Sequence, residues 1–118
     1  MERSAFDEIR LDVWKRIKEF YGDRVKGMEF FDIIDEPDMW TFKIGFFAYD
    51  YFWVVFRYKL DEIRMSICCG DGKYFHISSG EDFYSTAKLD DFFEDARKEI
   101  ELRIPDKFLK AKGWSYKD

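Results

Sequence analysis

At 118 residues the chain has the length of one domain, 1–118, and such a domain can bury roughly two-thirds of its unfolded surface unaided. Its aromatic content of 21% excludes a disordered polyelectrolyte, and its net charge of −5 excludes general affinity for nucleic acid or anionic membrane. No run approaches the ~20 apolar residues of a membrane span, and the charged start MERSAFDEIRLD lacks a signal peptide's apolar run, so no membrane and a cytoplasmic location are expected.

Ser4 with Asp7 has capping-box character. Phe6, Ile9, Val13, Ile17 and Phe20 follow at intervals of three and four, so the spacing predicts a helix over Ser4–Tyr21, stopped by Gly22. A strand near Gly27–Ile34 precedes the turn Asp35-Glu36-Pro37-Asp38. Strands are then expected over Met39–Ala48, Tyr51–Leu60 and Glu62–Cys69, with a turn at Tyr49–Asp50. In the last of these Ile63, Met65 and Ile67 strictly alternate with Arg64 and Ser66, the mark of a half-buried antiparallel strand.

Gly70-Asp71-Gly72 is the clearest turn, and its length sets the register of the strand after it. A three-residue loop with Gly72 left-handed pairs Ile67 with Phe75, whereas a two-residue loop pairs Ile67 with His76. Burial favours the first, which sends Phe75 and Ile77 inward and Tyr74 and His76 outward. Ser78-Ser79-Gly80-Glu81-Asp82 should end the sheet. A helix capped near Ser85–Thr86 follows, with Leu89, Phe92, Phe93, Ala96 and Ile100 on one stripe. Pro105 breaks it or starts a short helix through Phe108 and Leu109, ended by Gly113, and Trp114 with Tyr116 should tack the tail down.

The expected architecture is therefore α+β: helix, five-stranded antiparallel meander, helix, with both helices on one sheet face. Aromatic residues crowd both faces of the strands between Trp40 and Tyr58. Phe42, Phe46, Phe52 and Phe56 belong under the helices. The opposite face receives Phe47, Tyr49, Tyr51, Trp53, Arg57, Tyr74 and His76, with Lys43, Val55, Arg64, Ser66 and Cys68. Even half exposed, Phe47, Tyr51, Trp53 and Tyr74 would present roughly 300–500 Å² of apolar surface, a patch size that calls for a cover. Trp114 folding over Trp53 and an intermolecular contact are both open as that cover.

Motifs for chemistry are sparse. Cys68 and Cys69 are adjacent and lack the spacing of a disulfide framework or metal site. His76, the single histidine, neighbours Ser66 and Cys68, but no spacing supplies an orienting residue or oxyanion hole. The acids of DIIDEPD lack the order of a calcium loop, and Gly70–Lys73 is not a phosphate loop. Strand order and sequence also lack the arrangement of an RNA-recognition domain. The expectation is no catalytic residue, no metal and no cofactor.

Acidic loops remain. Five acids and no base lie in Glu29–Asp38, and six acids with only Lys88 in Glu81–Asp95. Acids beside exposed aromatics suit a basic partner, because charge steers encounter while aromatics anchor the contact. Asp35, Glu36, Asp38, Asp90 and Asp91 are the steering candidates, and Phe47, Tyr51, Trp53, Arg57, Tyr74 and His76 the contact candidates. In size, acidic loops such as DIIDEPD and aromatic-rich sheet, the chain resembles the small acidic immunity proteins that bacteria make to neutralise a cognate secreted toxin. That resemblance implies non-enzymatic occlusion of a toxin domain's active site. The alternative is a regulatory domain binding a small molecule or peptide on the aromatic outer face. A homodimer through an edge strand or that face is also open.

Overall fold

The computed structural model describes residues 4–78 and 82–114. Helix α1 spans Ala5–Tyr21, and Ser4 caps it by accepting the Asp7 amide on its side-chain oxygen at 3.1 Å. Gly22 ends the helix at φ +57° and opens a single 3-10 turn to Arg24. Strands β1 (Val25–Ile34), β2 (Thr41–Ala48), β3 (Phe52–Lys59) and β4 (Glu62–Cys68) follow as an antiparallel meander, and β5 (Tyr74–His76) adds the fifth. Helices α2 (Leu89–Leu102) and α3 (Asp106–Lys112) complete the chain.

The β4–β5 register is the one that burial favours: Ile67 faces Phe75 and Ser66 faces His76, with Gly72 at φ +71°. Beyond β5 the sheet does not end. A two-residue strand β6, Asp82–Phe83, pairs with the start of β4, opposite Glu62 and Ile63. Between the two, Ser78 Oγ accepts the Met65 amide N–H at 3.1 Å, so a side chain completes what the ladder leaves off. Ser79, Gly80 and Glu81 of the expected terminating turn lie outside the described residues, as does Tyr116.

Both hairpin turns of the central strands are left-handed. Tyr49 and Asp50 have φ +59° and +52°, and Leu60 and Asp61 have +47° and +74°. Two successive positive φ values give the twist that tight hairpins require, but neither pair contains the glycine or asparagine that usually supplies it.

The core lies between one sheet face and the helices. Phe42, Ile44, Phe46, Phe56, Ile63 and Met65 are fully buried there against Phe6, Val13 and Ile17 of α1 and Phe93 and Ile100 of α2. Four departures from the expected pattern have physical causes. Tyr49 is not outward. Its left-handed backbone turns it under α2, where it is fully buried and donates to Glu101 Oε2 at 2.5 Å. Phe75 does face the helix side but lies past the helices' cover, 47% exposed beneath the Arg103 guanidinium at 4.5 Å. Ser85 does not cap α2: it bonds the Asp61 carboxylate instead, so the helix begins at Leu89 without a side-chain cap. Trp114 does not cover Trp53. It packs edge-on against Tyr49 at 5.6 Å and reaches Asp23 with its indole N–H at 3.4 Å.

Candidate functional site

On the outer face, strand pairing brings side chains into rows. Lys43 of β2, Arg57 of β3 and Arg64 of β4 are direct cross-strand neighbours. One row away, Gly45, Val55, Ser66 and His76 stand opposite one another across four strands. Phe47 and Trp53 form the next pair, and Tyr74 lies opposite Cys68.

Gly45 explains how Trp53 is accommodated. A Cβ at position 45 would stand 2.3 Å from Trp53 Cζ2 and 3.2 Å from Phe31 Cε1, so the indole and the Phe31 ring occupy the space a side chain would need. Trp53 is half-buried by this hollow, and Lys43 Nζ rests 5.6 Å from the Phe31 ring. Part of the aromatic excess thus covers itself. Phe47 and Tyr74 remain exposed, at 37% and 49%. Tyr51 remains exposed too, but its ring packs edge-on against Phe108 of α3 at 5.2 Å, away from the rows.

A concavity of about 120 Å³ opens between the rows. Val55 and Ser66 are its floor, each buried although on the outer face. Arg57 and Arg64 wall one side with Lys43, and Tyr74 and His76 the other. Ser66 Oγ and His76 Nδ1 are 2.6 Å apart. The cations are only partly neutralised: Glu62 Oε1 serves Arg57 at 2.8 Å and Arg64 at 3.3 Å, and Asp32 pairs with Lys43 at 2.9 Å. The Nε groups of Arg57 and Arg64 are buried and carry no hydrogen bond.

The candidate acids lie elsewhere. Asp35, Glu36 and Asp38 sit on the exposed β1–β2 turn, closed by the Met39 amide on the Glu36 carbonyl at 2.7 Å. Asp90 and Asp91 open α2, exposed on the helix side of the sheet. The structure therefore gathers Arg57, Tyr74 and His76 into one concavity, sets Phe47 and Trp53 beside it, leaves Asp35, Glu36 and Asp38 on the turn between β1 and β2, and puts Asp90 and Asp91 on the helix side.

What the acidic turn does adjoin is a set of apolar residues that pattern reading passed over. Ile34, Thr41, Lys59, Glu62 and Phe83 form the terminal row of the sheet, by successive strand pairing. Met39 and Leu60 occupy the turns beside it, where the Leu60 amide bonds the Trp40 carbonyl at 2.9 Å. Met39, Leu60 and Phe83 are about half exposed and Ile34 somewhat less, among Asp35, Glu36, Asp38, Asp61 and Asp82. The signal in the sequence was an apolar residue inside each acidic turn, at Met39 and Leu60.

For metal or nucleophilic chemistry the geometry offers little. Among the described residues no three His, Cys, Asp or Glu side chains gather as metal ligands would. Cys68 and Cys69 are free thiols, and no carboxylate is hydrogen-bonded to His76 among the described residues. No described helix is long and apolar enough to cross a membrane. No family model, curated protein or solved structure matches the chain.

Proposed function

We propose that this chain is a non-enzymatic protein-binding module that neutralises a basic partner, in the manner of an immunity protein occluding a toxin domain's active site. One observation carries the reading: the sheet end bearing Asp35, Glu36 and Asp38 also presents Ile34, Met39, Leu60 and Phe83 to solvent. Five strands at about 4.8 Å spacing make that row about 19 Å wide. Its apolar exposure is on the order of 300 Å², the scale of a functional patch on a small protein.

The division of labour follows from the chemistry. Acids around an apolar centre accelerate encounter with a basic surface, and the desolvated apolar residues then slow dissociation. Leu60 holds a left-handed backbone at φ +47° while half exposed, an arrangement costly for a branched side chain and one that clusters at binding sites. Asp90 and Asp91, on the helix side, add to the long-range field rather than to the contact.

The test is binding kinetics against a basic toxin domain encoded beside this gene. Replacing Asp35, Glu36 and Asp38 with the amides should lower the association rate roughly tenfold at low salt and flatten its salt dependence. Leu60→Asn should instead raise the dissociation rate. If such a domain binds equally well to both variants, or does not bind the native chain, the reading is wrong.

A second reading, a domain that binds a small ligand on the outer sheet face, is favoured by a separate observation: the concavity over Val55 and Ser66.

A further inference from the structure

The row Lys43–Arg57–Arg64 is an expensive arrangement. Like charges directly opposite on neighbouring strands destabilise a sheet. Here three are aligned in a chain whose net charge is −5, and one carboxylate oxygen of Glu62 is shared between two guanidinium groups. The buried Nε–H groups of Arg57 and Arg64 have no acceptor, which leaves two charged-group donors unsatisfied. Beside them are an ammonium group at Lys43, a hydroxyl at Ser66 and an imidazole at His76, all lining the same concavity.

We propose that this concavity is a binding site for a phosphoryl group, carried by inorganic phosphate or a small phosphate monoester. Its lining residues are other than those of the acidic turn, one row along the sheet, and it does not depend on the partner-binding reading. One feature points to a phosphoryl group over a carboxylate. The site's donors come from three strands and from β5, so they approach from several directions and match three or four oxygens better than two. Arginine forks bind phosphate oxygens with charge-assisted bonds. The concavity, about 120 Å³ and open to solvent, has room for a phosphoryl group, and the rest of a larger ligand would extend beyond it. Tyr74, 49% exposed at the rim, offers a flat surface to the organic part of an ester.

The experiment is an NMR titration of the intact protein with sodium phosphate, phenyl phosphate and sodium acetate, each at matched ionic strength. Saturable shifts confined to Val55, Ser66, His76 and the arginine side-chain Nε–H signals are expected with the phosphates and not with acetate. Tighter binding of phenyl phosphate assigns the ester as the source, and tighter binding of phosphate assigns the free ion. Arg57→Gln and Arg64→Gln should each weaken binding roughly tenfold or more, since a charge-assisted bond contributes about that factor. Lys73→Gln, at the exposed hairpin tip, should not. Both arginine variants should keep their fold, because each removes a like-charge contact, and melting curves without phosphate check this. Should either fail to fold, Ser66→Ala carries the same test. Non-saturating shifts spread over the surface lysines, equal response to acetate, or undiminished binding in folded arginine variants overturns the proposal.

Discussion

Replacing Gly45 with alanine tests how the outer face is built. The added Cβ would meet Trp53 Cζ2 at 2.3 Å, a distance at which something must move, and Phe31 Cε1 at 3.2 Å, where the ring must give by a few tenths of an ångström. Overpacking of this kind costs about 1–3 kcal/mol. If the indole instead swings into water, about 100 Å² of newly exposed ring costs about 2.5 kcal/mol. Alanine in a strand recovers about 0.5–1 kcal/mol relative to glycine. The net expectation is a loss of about 1–2 kcal/mol, which lowers the urea midpoint by roughly 0.5–1.5 M. A double-mutant cycle decides the cause. In a Trp53→Ala background the main obstruction is gone and only the closer approach to Phe31 remains, so Gly45→Ala should become nearly neutral, with a coupling of about 1–2 kcal/mol. A Gly45→Ala variant as stable as the native chain, or a coupling near zero, refutes the account of Trp53.

Other consequences are open to measurement. Leu60→Asn relieves a left-handed leucine and should stabilise the fold by about 0.5–1 kcal/mol in chemical denaturation; a loss would mean that Leu60 contributes packing its exposure hides. Ser4→Ala removes the oxygen that accepts the Asp7 amide and should cost about 1 kcal/mol of thermal stability. Burial holds the phenol of Tyr84 up to about 12, helped by its bond to Asp12, and holds Tyr21 and Tyr49 higher still. An unfolded tyrosine ionises near pH ~10, so below that value both states keep their protons. Above it the unfolded chain loses protons that the folded chain retains, and stability falls as pH rises. Denaturation midpoints should therefore drop as pH rises from about 10 to about 12; a flat profile there contradicts the burial of these hydroxyls.

The helices, the meander and the β4–β5 register were legible because each rests on periodicity or on burial of a whole face. Ile67 opposite Phe75 follows from asking which alignment keeps Ile77 inside, and Ile77 is buried. Other features depend on groups distant in sequence, which local pattern does not encode. Tyr49 turns inward on a left-handed backbone, and its hydroxyl donates to Glu101 on α2. Ser85 is drawn from the helix start by Asp61, and Trp114 from the outer face by Asp23 and Tyr49. At the candidate site, alternation placed Arg57, Tyr74 and His76 on one face, but only the assembled ladder aligns Lys43 and Arg64 with Arg57. Nothing in the sequence marks Gly45 as more than an ordinary strand residue, because the ring that needs its missing side chain, Trp53, lies on the next strand.

Strand β1 ends the sheet on the side away from β5, and its pairing with β2 is interrupted between Lys26 and Glu29 and again between Phe31 and Ile34. Gly27 and Asp32, at φ +63° and +51°, sit at those interruptions. The longest regular stretch of this border is thus Glu29–Phe31. Cross-β stacking needs about six residues in continuous extended register, so this border is a poor template for fibril growth despite its phenylalanines. Straightening it, by an insertion-free repair such as Gly27→Val with Asp32→Thr, would trade two kinks for an adhesive margin, and the cost would appear as turbidity long before any change in the fold.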